Sequence, residues 1–282
     1  MRRVDRPNFS ARKTFATCID RIRDTGLKTR LKNVENFIVS EADTYSNRAA
    51  SASLHLIGQT NGVLEGLVTT DEMVALYDQK MAGPEGPPRH IYNAIKGLPK
   101  HGICPFCDHR TVSTLDHILP KRLFPTFAVA PDNLVGACAD CNRAKRSSAP
   151  TMPGDTVLHP YFDDIDSERW LDALVVEGPV AALIFRTKVV PSWSTDLNER
   201  VRRQFKMLKL AKLYGSQAAC LISELALLLE GIHNSRGGEG VREELSGQAE
   251  TREAAHLNSW RAITYRSLCE SDWFCNGGFR TS

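Results

Sequence analysis

Two Cys-x-x-Cys pairs constrain this chain more than any other feature. Cys104 and Cys107 form one pair, and Cys138 and Cys141 form the other. Two intervening residues let both thiolates of a pair point at one ion, and two such pairs complete a tetrahedral sulfur site that suits zinc. The alternative is a set of free thiols or disulfides. We favour zinc because both pairs have ligand spacing and because no other feature predicts a secreted protein.

The segment between the two pairs is longer and more polar than a plain zinc ribbon requires. Thirty residues separate Cys107 from Cys138, whereas about 15–20 are usual. Residues 111–115 form a short β-type run that leads to Asp116 and His117. A proline follows at position 120 and ends the pairing of this strand.

The second half of the segment supplies a return strand and a helix. Residues 133–135 have the apolar character of a strand, and residues 139–146 predict a short helix that carries Asn142. The order strand, strand, helix, with a polar residue on each element, predicts a ββα unit held at its base by zinc.

These residues resemble the HNH endonucleases of the ββα-metal class that carry a four-cysteine zinc site. The resemblance rests on Asp116-His117, Asn133 and Asn142, in the contexts LDHILPK, DNLV and CADCNRAK, and it covers about residues 100–146. The usual first histidine of the family is an aspartate here, and the third is an asparagine. The resemblance implies metal-dependent hydrolysis of phosphodiester bonds that leaves 5′-phosphate and 3′-hydroxyl ends. The nucleic acid can be DNA or RNA, and we favour DNA.

Each residue of the motif has a chemical role. His117 is the side chain of the set that can accept a proton near neutral pH, so we expect it to be the general base. Asp116 and Asn142 offer the hard oxygen ligands that Mg²⁺ or Mn²⁺ prefers. Asn133 has no proton chemistry, and the resemblance implies that its amide holds the imidazole and the loop in position. A zinc ion at the four cysteines would be structural.

The charge distribution is compatible with a nucleic-acid partner. The net charge is only +3, but residues 1–34 carry ten Lys or Arg and three Asp, and residues 96–146 carry eight Lys or Arg and four Asp. Two basic blocks can flank a phosphate backbone, although the first can equally be a solvated helix face. The residues that we expect to contact nucleic acid lie around the motif: Lys121, Arg122, Arg143, Lys145 and Arg146.

The predicted fold class is α+β, with the ββα nuclease unit between two mainly helical lobes. We place the N-terminal lobe at residues 1–98, the nuclease domain at 99–165 and the C-terminal lobe at 166–282. Apolar residues at three- and four-residue spacing predict helices over 10–58, 70–81, 197–213 and 217–229. Residues 175–185 predict a β-hairpin. His159 can be an extra metal or phosphate ligand, but we favour a packing role beside Pro160, Tyr161 and Phe162.

The sequence also indicates where the protein works. The N-terminus has no apolar core of a signal peptide, and no apolar run approaches about 18–20 residues. We therefore expect a cytoplasmic protein without a membrane partner. There is no phosphate-loop motif, so the chain is not expected to hydrolyse ATP.

A wider resemblance concerns the order of segments along the chain. LYDQKM and RHIYNAI precede the CPFC pair, and HPYFDD follows the nuclease motif. This order is similar to the HNH nucleases encoded beside an ATPase in Septu-type anti-phage systems, which implies an ATPase partner that gates cleavage. Two other hypotheses remain open: a zinc-stapled nucleic-acid binder without catalysis, and an interaction subunit whose helices dock an ATPase.

Overall fold

The computed structural model describes residues 1–60, 62–145 and 149–280. Helices dominate these residues, and three separate antiparallel sheets of two strands each accompany them. The predicted α+β class is confirmed at this level. The described chain divides into two compact units, one of residues Arg2–Asp163 and the other of Asp164–Ser282 together with Met1. The three-part division at residues 98 and 165 stays a prediction.

The N-terminal unit contains six α-helices and four strands among its described residues. In chain order they are α1 (Ala11–Ile19), α2 (Thr25–Asn33), α3 (Glu35–Ala50), β1 (Val63–Leu64), β2 (Val68–Thr69), α4 (Thr70–Ala75), α5 (Arg89–Gly97), β3 (Thr114–His117), β4 (Leu134–Ala137) and α6 (Ala139–Lys145). A π-helical turn, Leu76–Met81, continues directly from α4.

Polar caps set where several of these helices begin. Ser10 accepts a hydrogen bond from the backbone of Lys13 at the start of α1. At α4 the cap is Thr69, and it exchanges hydrogen bonds with Glu72 in a capping box. Such caps satisfy backbone N–H groups that have no partner within the helix, and each contributes about 1 kcal/mol.

One hydrophobic core joins the N-terminal helices to the strands of the motif. Phe15 of α1, Ile91 of α5 and Leu134 of β4 are fully buried members of this core. Gly136 of β4 lies so close to α5 that an added Cβ would stand 2.8 Å from the carbonyl oxygen of Lys96. The helices before residue 98 therefore pack directly on the strand pair that carries the candidate site.

The C-terminal unit is a β-hairpin with four helices. Its elements are β5 (Leu171–Val176), β6 (Ala182–Thr187), α7 (Thr195–Met207), α8 (Leu210–Ala255), α9 (Trp260–Cys269) and α10 (Asp272–Cys275). The hairpin predicted over residues 175–185 is present. Its first strand begins earlier than predicted, at Leu171, and its second strand ends later, at Thr187. The single helix predicted over 197–213 is wrong, because Lys209 adopts a left-handed conformation (φ 54°) and separates α7 from α8.

Helix α8 is much longer than the helix predicted over residues 217–229. It is interrupted at Gly237, whose φ of 66° and ψ of −166° lie outside the helical region and suit a residue without a Cβ. Leu229 is buried, but the side chains of Leu227 and Leu228 are 84% and 52% exposed. By length and composition alone α8 passes as a membrane-spanning helix, and 17% of its most apolar window is buried in the structure.

Candidate active site

The four cysteines come together in the N-terminal unit. All are buried, and their sulfur atoms lie within 4.8 Å of one another. A tetrahedral zinc site with Zn–S bonds of about 2.3 Å requires sulfur atoms about 3.8 Å apart, and the sulfurs of Cys107 and Cys138 are 4.0 Å apart. The cluster could therefore hold one zinc ion with little movement.

Backbone geometry prepares each pair for thiolate ligands. The N–H of Arg110 donates to the Cys107 sulfur at 3.4 Å, and the N–H of Cys141 donates to the Cys138 sulfur at the same distance. Hydrogen bonds from the neighbouring thiols, and then these backbone bonds, lower the pKa of Cys107 and bring that of Cys138 to about 7, whereas hydrogen bonds within the same cluster raise the pKa of Cys104 and Cys141. Charged sulfur is the form that binds metal.

The cysteine cluster fixes the strand pair and the helix that follows it. In the antiparallel register, Asp116 pairs with Val135 and His117 with Leu134. Cys138 stands between the end of β4 and the start of α6, and its carbonyl oxygen accepts from the backbone of Asn142 at 3.1 Å. The order β3, β4, α6 is the predicted strand–strand–helix arrangement, with its base at the cysteines.

His117 is held at the end of β3 in one tautomer. Its Nε2 lies 2.9 Å from the carbonyl oxygen of Ala128, and a carbonyl only accepts, so Nε2 carries the proton. Nδ1 is then the basic nitrogen of the neutral ring. The ring of Tyr77 contacts the imidazole edge to face, with centroids 4.4 Å apart. Burial lowers the pKa of His117 to about 3, although the bond to Ala128 opposes the shift.

Asp116 is buried beside a lysine from α6. The Lys145 ammonium lies 3.0 Å from Oδ1 of Asp116 and also donates to the backbone carbonyls of His117 and Ile118. The second oxygen, Oδ2, is buried without a hydrogen-bond partner. Burial raises the pKa of Asp116, and the Lys145 charge opposes that rise.

The side chain of Asn133 forms hydrogen bonds across the loop between β3 and β4. Its side-chain oxygen accepts from the N–H of Leu119 at 2.8 Å, and its amide nitrogen donates to the carbonyls of Leu119 and Phe127 at 3.0 and 3.1 Å. Phe127 precedes Ala128, whose carbonyl accepts the hydrogen bond from Nε2 of His117. Asn133 therefore reaches the imidazole through the loop rather than by direct contact.

One cavity of about 570 Å³ opens at this site. It is lined by three of the four predicted catalytic residues, Asp116, His117 and Asn142, and by three of the predicted basic residues, Lys121, Arg122 and Arg143. We call this space the catalytic cavity. Asn133 lies outside its lining.

One predicted nucleic-acid contact, Lys145, does not line this cavity, and a second lies outside the described residues. Lys145 is 7% exposed, and its ammonium is committed to Asp116 and to two carbonyls. The structure therefore gives Lys145 an internal role. From the sequence we expected it to contact a phosphate, as its basic neighbours on α6 suggest. Arg146 lies outside the described residues.

Sequence reasoning missed the contribution of residues 77 and 78. Tyr77 and Asp78 line the catalytic cavity from the π-helical turn. Asp78 pairs with Lys121, whose ammonium also lies 4.5 Å from the centroid of the Tyr77 ring. Nothing local in the sequence marks them, because Tyr77 occupies an apolar position of a predicted helix.

His159 packs inside the N-terminal unit. Its Nε2 lies 3.1 Å from the Tyr45 hydroxyl and 3.0 Å from the carbonyl of Asp132, and its Nδ1 accepts from the backbone of Tyr161. The ring is 1% exposed. This environment fits the packing role that we favoured from the sequence.

Comparison with known proteins finds a similarity to a phage protein whose name states no activity. No family model matches the chain, and no solved structure matches it. Protein ea31 of Escherichia phage lambda is 27% identical over 227 residues, which cover 75% of this chain and 76% of that protein.

Proposed function

We propose that this chain is a metal-dependent endonuclease of the HNH class that hydrolyses phosphodiester bonds, in DNA rather than RNA. The observation that carries the proposal is the convergence of Asp116, His117 and Asn142 with the basic residues around them at one cavity. A zinc-stapled binder needs the basic residues, but it has no use for a buried neutral imidazole beside a buried carboxylate.

The imidazole is prepared to accept a proton. Because Nε2 of His117 is committed to Ala128, Nδ1 can take the proton from a water molecule that attacks phosphorus. A pKa near 3 keeps the ring unprotonated but makes it a weak base. A phosphate anion bound in the cavity would raise that pKa, since opposite charge stabilises the imidazolium.

The oxygen ligands fit a hard divalent ion. Oδ2 of Asp116 is buried and unpartnered, and Asn142 lines the same cavity with a second side-chain oxygen. Asp116 and Asn142 would hold Mg²⁺ or Mn²⁺, which favour such donors. When bound, the ion would polarise the phosphate and stabilise the leaving oxygen.

Basic residues at the cavity would orient the substrate. Arg143 is exposed on α6, and Arg122 is exposed with only a surface ion pair to Asp71 at 3.3 Å. Such a pair contributes at most about 1 kcal/mol, so a phosphate can displace it. Lys121 is held more firmly, by Asp78 and the Tyr77 ring.

We further propose that an ATPase partner gates this activity in an anti-phage defence system. The exposed Leu227 and Leu228 on α8 offer apolar surface for a protein partner, and the sequence has no phosphate loop of its own. Co-expression with the product of the neighbouring gene, followed by a size measurement, tests this separately from cleavage. A chain that stays monomeric in its presence would contradict it.

A substrate panel tests the proposed activity. Purified protein is incubated with plasmid, single-stranded DNA or tRNA, with Mg²⁺, Mn²⁺ or EDTA. We expect cleavage of DNA that requires the divalent ion and leaves 5′-phosphate ends. Binding without cleavage under every condition would favour the zinc-stapled binder.

A further inference from the structure

A second groove lies in the N-terminal unit beside the catalytic cavity. It has a volume of about 820 Å³, and it is bordered by the end of α1 with the turn after it and by residues 79–88. Three basic side chains line it, Arg21, Arg23 and Lys80, against one carboxylate, Glu85. We call it the basic groove.

The structure divides the basic N-terminal block into two groups. The first group has internal partners: Arg2 with Asp108, Arg6 with Asp132, Arg12 with Glu35, Lys28 with the carbonyl of Asp20, and Arg30 with Glu72. Arg21 and Arg23 belong to the second group. Both are exposed, and neither makes a side-chain hydrogen bond or ion pair within the described ranges. Lys80 is half-buried, and it also makes no side-chain hydrogen bond or ion pair in the described part of the chain.

The basic groove and the catalytic cavity flank the same turn of the chain. Tyr77 and Asp78 line the cavity, and the next two residues, Gln79 and Lys80, line the groove. A helical segment with its side chains is about 10–12 Å across. Phosphates of one DNA strand repeat about every 3.4 Å along the helix axis, so about three to four phosphates span the width of such a segment.

We propose that the basic groove binds the backbone of the nucleic-acid strand as it leaves the catalytic cavity. Arg21, Arg23 and Lys80 contact phosphates there. The described lining contains no aromatic ring on which a base could stack, so the contact positions the strand without reading its sequence. The inference rests on the proposed function, since it requires nucleic acid in the cavity.

Salt-dependent binding tests the groove. The protein carries His117→Ala so that substrate persists, and the probe is a fluorescein-labelled DNA duplex of about 30 base pairs whose anisotropy is followed across KCl concentrations. Arg21→Gln, Arg23→Gln and Lys80→Gln are combined in one variant. The matched control combines Lys13→Gln, Lys32→Gln and Lys100→Gln, which remove the same charge from exposed positions outside both linings.

The groove variant and the control should differ in the salt dependence of DNA binding as well as in affinity. The slope of log K against log salt is negative, and each lost phosphate contact makes it shallower by about 0.9. The slope of the groove variant should therefore be shallower by about 2–3. Its affinity should fall at least about tenfold near 0.1 M salt. The control should keep the parental slope. Arg21→Gln alone should make it shallower by about 0.9, which keeps the test open if the triple variant folds poorly.

Cleavage by the parent protein separates the two proposals. The chain with intact His117 can cut the duplex while the groove and control variants bind DNA with the same affinity and salt dependence. In that case the proposed role of the groove is wrong, and the nuclease assignment stands. If the intact chain neither binds nor cuts any nucleic acid, both are overturned. A slope change confined to the groove variant supports the groove.

Discussion

The Lys145 ammonium lies 3.0 Å from the Asp116 carboxylate, and both side chains are more than nine-tenths buried. The pair joins the end of α6 to the end of β3, because Lys145 also donates to the carbonyls of His117 and Ile118. Helix and strand are thus held together at the residues that we propose carry the chemistry.

Lys145→Met should therefore destabilise the N-terminal unit strongly. Removal of one partner of a buried ion pair leaves an uncompensated charge and costs about 3–5 kcal/mol. Lys100→Met, at an exposed position, should change the free energy of unfolding by less than about 0.5 kcal/mol. All four tryptophans follow residue 163, so unfolding should be followed by circular dichroism or hydrogen exchange. Equal stability of the two variants would contradict a structural role for this pair.

The cysteine cluster predicts one zinc ion per chain. Cys138→Ser should lower zinc content and thermal stability together, since a closed thiolate site contributes folding energy. Cys220→Ser is the control, because Cys220 is exposed and outside the cluster. Elemental analysis that found no zinc in folded wild-type protein would exclude the site.

Asn133 should affect stability more than chemistry. Asn133→Ala leaves the buried N–H and carbonyl of Leu119 without partners, at about 1–3 kcal/mol for each group that water cannot reach. It also removes one of two hydrogen bonds to the Phe127 carbonyl, which keeps its bond from the N–H of Ala130. Asn142→Ala, on a half-exposed helix position, should have the opposite pattern, with a near-normal unfolding midpoint but a higher Mg²⁺ concentration required for cleavage. Thermal unfolding and cleavage rates of both variants at a temperature where both are folded would distinguish the two roles. Equal loss of stability in both would count against the assignment.

The low pKa of His117 predicts that the fold loses stability in acid. Its pKa is about 3 in the folded protein and about 6.5 in an unfolded chain, so the unfolded state binds the extra proton between these values. The stability contribution of the neutral ring is complete above about pH 6.5 and is lost as the pH falls toward 3, by at most about 1.4 kcal/mol per pH unit.

Histidine-labelled NMR checks this directly. The resonance that disappears in His117→Ala should not shift between pH 7 and about pH 5. A resonance that titrates with a midpoint near pH 6.5 would show that the ring is not held neutral by burial.

Local spacing was sufficient to find the residues of the site but not their surroundings. The cysteine spacing and the positions of Asp116, His117 and Asn142 follow from short motifs, and the structure brings these residues to one cavity. Lys145 could not be assigned from sequence, because its burial depends on contact with β3, and a lysine near the end of a helix is usually solvated. Tyr77 reaches His117 from a distant helix, and only tertiary packing reveals that contact.

The C-terminal unit shows the same limit. Apolar periodicity predicted one helix through residue 213, but the left-handed residue at the break is Lys209, and a lysine gives no local signal of a chain reversal. The exposed Leu227 and Leu228 also follow from packing that the composition of the helix does not specify.

Comparison of the wild-type chain with His117→Ala on one DNA substrate tests the central claim most directly. Loss of the imidazole removes the proton acceptor but leaves the cysteine cluster, Asp116 and the basic residues of the cavity in place. A general base is worth about 10²–10⁴-fold in rate. The account predicts a loss of that size in the variant, with unchanged zinc content and unchanged DNA binding. Equal cleavage by the two proteins would place the base elsewhere and would contradict the assignment of this site.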